Sequence, residues 1–116
     1  MRKITEMAVN SFFNGRKNFK RNNTEVICSK ISLHNRFLLH GNEIFSSNQD
    51  FTVFDFSLCG WNTNTTRERL NGILARFNSY IKQKNWNLFY VHNGKESPIN
   101  ENDTYYIDRN GNLLEE

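Results

Sequence analysis

The residues to test first for chemistry are His34, His40 and His92, Cys28 and Cys59, and Asp50 and Asp55. Hydrolytic and transfer reactions need a nucleophile beside a base, or two carboxylates facing one bond. His40 and His92 each directly precede a hairpin signal, where histidine is tolerated without any role. No CxxC or HxxxH spacing occurs, so the cysteines and histidines would form a zinc site only by distant convergence. Asp50 and Asp55 fall in no metal-loop pattern, and there is no glycine-rich phosphate loop. The expectation is a protein that is not an enzyme and uses no cofactor or metal.

Binding chemistry is better represented. Arg16, Lys17, Lys20 and Arg21 surround a single aromatic, Phe19. Such a cluster can hold a phosphate backbone while the ring stacks on a base, or Phe19 can plug the core while the charges face water. A second set, Arg67, Arg69 and Arg76 with Lys82 and Lys84 beyond, would lie along phosphates if presented by one helix face. Trp61 precedes that set, and it either stacks on a base or anchors its loop in the core; Trp86 is another stacking surface if exposed.

Charge is unevenly divided along the chain. Residues 1–36 hold eight Lys or Arg against two Glu, and residues 67–84 hold five against one. The last 32 residues carry six acidic groups and two basic ones, within a formal net charge of +3. Such a division predicts either a basic and an acidic face or ordinary solvated surface whose charges mix on folding. Two cysteines without a dense pattern read as partly buried thiols in a reducing compartment. No apolar run approaches a membrane span, and the N-terminus lacks a signal-peptide core, so the expected location is cytosolic.

The elements that must position these groups are short and turn-rich, as 19 asparagines imply. Residues 4–14 read as a first helix, with Ile4, Ala8 and Phe12 spaced by four and Gly15 just past its end. Three antiparallel strands are expected across 24–58, with a turn at His40-Gly41-Asn42. The second helix is the clearest element. Thr65 and Glu68 have the spacing of a capping box, and Leu70, Ile73, Leu74 and Phe77 follow at i, i+3, i+4 and i+7. Residues 86–92 read as a strand followed by Asn93-Gly94, the strongest short hairpin signal. Tyr105, Tyr106 and Ile107 precede a last turn at Asp108-Arg109-Asn110-Gly111. The predicted fold is α+β, with two helices packed on one face of a twisted antiparallel sheet of about five strands. Residues 1–99 would form one domain, and 100–116 an acidic C-terminal hairpin or extension.

Three segments carry a resemblance: Asn18 to Val26, Leu39 to Ile44, and Gly60-Trp61-Asn62-Thr63-Asn64-Thr65-Thr66-Arg67-Glu68-Arg69-Leu70-Asn71. Together with 81–84 they resemble a family of small proteins, with no mechanism attached, encoded in tailed bacteriophages and especially in phages of gut Bacteroidales. The resemblance implies a phage protein made in the host cytoplasm. Small phage proteins of that kind often bind nucleic acid, or bind and inhibit host proteins such as defence nucleases. The reading is a non-catalytic protein that binds nucleic acid through a basic face. The alternatives are an inhibitor of a host factor, and a minor virion or assembly protein that self-associates through its C-terminal edge strand.

Overall fold

A computed structural model describes residues 1–15 and 17–114; Arg16, Glu115 and Glu116 lie outside the described residues. The elements are α1 (Lys3–Asn10), β1 (Phe19–Arg21), β2 (Thr24–Cys28), β3 (Asn35–Leu39), β4 (Asn42–Ser47), β5 (Val53–Phe56), α2 (Asn64–Leu74), β6 (Ser79–Lys84), β7 (Asn87–His92), β8 (Lys95–Ile99) and β9 (Tyr105–Asp108). The α+β class is as expected, but among the described residues the strands number nine and divide into two antiparallel sheets. The larger has the order β1-β2-β3-β4-β5-β9, and the smaller β6-β7-β8. One cluster of buried side chains joins them. Ala8, Val9 and Phe12 come from α1, Leu70, Ile73 and Leu74 from α2, Phe37, Phe45 and Phe56 from the large sheet, and Ile81, Leu88 and Tyr90 from the small one.

Helix α1 stops sooner than its apolar spacing predicts and passes into a single π turn over Ser11–Gly15. The wider turn brings the consecutive Phe12 and Phe13 onto the same aromatic cluster, where both rings approach Phe45 and Phe51. In the β3–β4 pair, Phe37 faces Phe45 while Leu38 faces Glu43, so Ile44 is the extra residue of a β-bulge. Ile44 and Phe45 are consequently both buried.

The expected apolar stripe is core: Leu70, Ile73 and Leu74 of α2 are buried, and so is Phe77, which lies in the 3-10 turn Ala75–Phe77 beyond the end of the helix. Its cap is not the expected one. Helix α2 begins two residues earlier, with the Thr63 hydroxyl accepting from the Thr66 N–H at 3.1 Å. Glu68 is thereby freed for α1, where its carboxylate accepts from the Thr5 hydroxyl at 2.6 Å and the Arg2 N–H at 3.2 Å.

The segment 100–114 supplies β9, which pairs with β5 from Val53↔Asp108 to Phe56↔Tyr105. The tail then folds back on the outer side of β9, with Leu113 bridged to Ile107 and the Leu114 N–H on the Tyr106 carbonyl at 2.8 Å. Gly111 makes that return possible. At φ +91°, a Cβ there would stand 2.8 Å from both the Phe77 carbonyl oxygen and the His92 ring.

Candidate nucleic-acid interface

The two basic clusters expected from the sequence meet different fates. Lys17, Lys20 and Arg21 are exposed, the last two on β1, the outer strand of the large sheet. Phe19 is half-buried, packed against the core. Arg16, also expected in this cluster, lies outside the described residues.

The arginines of α2 do not form one outward face. Arg69 is 1% exposed, one of the largest fully buried side chains among the described residues. Its Nε donates to the Thr24 hydroxyl at 3.1 Å, and its Nη1 to the Thr5 hydroxyl at 3.0 Å and to the Glu68 carboxylate. Burial alone would raise the Glu68 carboxyl, but the Thr5 hydroxyl, the Arg2 N–H and Arg69 together hold it below its ordinary value. Arg69 is a clamp between α1, α2 and β2, and it is removed from the expected binding set. Arg67 is held by Asn62, Asn64 and Gln83. Arg76 lies 5.0 Å over the Phe13 ring, with Nη2 on Asn10 at 3.0 Å.

Those bonds leave α2 as the support of β6. Arg67 grips the Gln83 side chain, and one helical turn on, the Asn71 amide pairs with the Ile81 backbone. Asn71 accepts from the Ile81 N–H at 2.7 Å and donates to its carbonyl at 3.2 Å. Asn71 thus takes the place of a neighbouring strand at Ile81, covering the β6 edge of the small sheet at that residue.

With Ile81 turned inward, strand alternation turns Tyr80, Lys82 and Lys84 outward. Register sets Lys82 opposite Phe89 and Lys84 opposite Asn87 on that same face, with Pro98 next to Phe89 on β8. Tyr80 is 48% exposed and Phe89 is half-buried. Lys82 is ion-paired with Glu96 at 2.5 Å, whereas Lys84 makes no ion pair among the described residues. The unit 79–99 carries three lysines against one glutamate.

Tyr80 and Phe89 stand outside the expected site residues. Their signal was the alternation Tyr80-Ile81-Lys82-Gln83-Lys84, which places one aromatic and two cations on a common side. Trp86, expected at the start of a strand, instead occupies the β6–β7 turn and is 91% exposed.

Trp61 is 62% exposed and does not anchor its loop in the core. It walls a cleft of about 520 Å³ whose floor is Leu39, Ile44 and Leu58, and whose rim includes His40, Thr63 and Thr65. The adjoining Asn62 donates to Gln83 at 2.6 Å, which ties this loop to the tip of β6. Among the described residues, no helix is long and apolar enough to cross a membrane.

No curated protein and no solved structure matches the chain. A protein-family model does, that of the Kyanoviridae Gp96 protein, over residues 1–112. That match carries a phage origin and gives no bacterial host group. Because it spans nearly the whole sequence, the chain belongs to the Kyanoviridae Gp96 family of phage proteins.

Proposed function

We propose that this phage protein is a non-catalytic nucleic-acid-binding protein of the host cytoplasm, and that its binding surface is the outer face of the β6-β7-β8 sheet. The observation that carries the reading is the row Tyr80, Lys82 and Lys84 on β6, flanked by Phe89 across the strand pair. An open sheet face with aromatic rings between cations suits a polyanion with planar bases: the rings stack, and the ammonium groups meet phosphate. This reading moves the basic face from α2 to β6 and keeps Lys82 and Lys84 of the expected set.

Fluorescence anisotropy with a labelled single-stranded oligonucleotide tests it. Binding at about 50 mM salt should weaken steeply as salt rises, and the doubly substituted Lys82→Glu/Lys84→Glu should lower the salt slope by about 1.4. Absence of binding at that low salt overturns the reading. A second reading, inhibition of a host protein, is favoured by the cleft beside Trp61, because an aromatic wall over an apolar floor suits a protein hot spot. Trp61→Ala separates the two: it should leave oligonucleotide affinity unchanged and abolish capture of a host protein if that second reading holds. Self-association through β9 is less well supported, since residues 112–114 already hydrogen-bond its outer edge.

A further inference from the structure

Among the described residues, three hairpins turn on two residues that both have positive φ, the type I′ geometry that matches strand twist. The first uses His40 (φ 52°) and Gly41 (φ 78°), and another uses Asn93 (φ 50°) and Gly94 (φ 79°). Glycine at the second position is the expected chemistry, since it has no Cβ to clash in the left-handed region. The β6–β7 turn has Asn85 at φ 51° and Trp86 at φ 68°. The bulkiest side chain stands where its two sister turns carry glycine.

Among the described residues, no hydrogen bond or ring contact repays that choice. The Trp86 indole is 91% exposed and contributes nothing to the buried core. A large residue in the left-handed region is an outlier that persists only when something outside local preference keeps it. Its position is informative. Trp86 stands at the end of the β6 row, two residues beyond Lys84, and the local charge of three lysines against one glutamate suits a polyanion.

We propose that Trp86 is held at the hairpin tip as a stacking platform for an unpaired nucleobase, and that the ligand of the small sheet is therefore single-stranded nucleic acid. The inference rests on the nucleic-acid reading above and narrows its ligand. In a duplex the base faces are occupied by neighbouring bases, and a protruding indole meets only edges and backbone. A single strand offers free faces. Lys82 and Lys84 lie on one side of an extended strand about 6.6 Å apart, two strand residues, a spacing that lets successive cations follow an extended phosphate backbone. Stacking of this kind tolerates any base sequence, because every base has a π-face.

The test uses the full chain and the variants Trp86→Gly and Trp86→Phe, each measured for thermal midpoint and for affinity to a labelled oligothymidine and to a duplex of equal length. Trp86→Gly should raise the midpoint by about 2–4 °C, by giving the turn the residue its backbone prefers. The same variant should weaken oligothymidine binding about tenfold or more, while Trp86→Phe keeps most of it. A lowered midpoint in Trp86→Gly would make the indole a structural residue and overturn the inference. So would unchanged oligothymidine affinity in that variant, or wild-type duplex binding as tight as single-strand binding. Failure of the wild-type chain to bind any oligonucleotide overturns the underlying reading as well, so the two failures are distinguishable.

Discussion

The Arg69 guanidinium is the meeting point of the Thr5 and Thr24 hydroxyls and the Glu68 carboxylate. Truncating it removes the donor they share and empties a fully buried site, so Arg69→Ala should cost about 3–5 kcal/mol in urea denaturation. Lys84→Ala, at an exposed position, should change stability by no more than about 0.5 kcal/mol. Asp55 has its carboxyl shifted in the opposite direction to that of Glu68. Burial raises its carboxyl above 3.8, partly offset by the Ser46 hydroxyl that donates to it at 2.7 Å, and Glu43 raises it further. A raised folded value means that the favourable term is fully present below 3.8 and is lost as pH rises through the folded value. Asp55→Asn should therefore raise the thermal midpoint at neutral pH and have little effect near pH 3, which melts across that range would show. In the sequence Arg69 was indistinguishable from Arg67 and Arg76. All three flank an apolar stripe at helical spacing, and only the convergence of Thr5 and Thr24, 64 and 45 residues away, decides which is buried.

At the scale of elements, the two candidate caps of α2 make different predictions. Thr63→Ala should cost about 1 kcal/mol, because it removes the acceptor of the Thr66 N–H, while Thr65→Ala should stay within about 0.5 kcal/mol. Chemical denaturation of the two variants separates the observed cap from the capping-box alternative. The apolar stripe of α2 and the turns at Gly41 and Gly94 were legible because period and turn chemistry are local properties. The cap was not, since Thr63, Thr65 and Thr66 all offer hydroxyls within one turn, and Glu68 is drawn away by α1. The β6–β7 turn was illegible for another reason. Its second residue is a tryptophan, so the usual glycine signal is missing and Trp86 reads as strand. The asparagine-rich composition did forecast many turns, and four of the left-handed positions, at residues 22, 78, 85 and 93, are asparagines.

At the scale of the molecule, seven strand pairings among the described residues organise the two sheets, and six of them join strands consecutive in sequence. That part of the architecture was legible as a succession of hairpins. The division into two sheets was not, because α2 separates β5 from β6 without any marker of which sheet the following strands will join. The exception is β5 with β9, across some fifty residues. A chain ending at Ile99 loses Ile107, fully buried, worth about 1.5–3 kcal/mol of apolar burial, and bares the edge of β5. It should melt lower than the longer chain and associate on a sizing column. The same pairing sets an order of events during synthesis. The hairpins can zip as each arm leaves the ribosome, since their partners are neighbours in time as well as in space. Strand β5 must wait for its second partner until residues 105–108 emerge, and a ribosome that stalls before them holds a sheet whose β5 edge is open. Closure by β9 thus makes the emergence of residues 105–108 the moment at which the β5 edge is no longer open to a second copy.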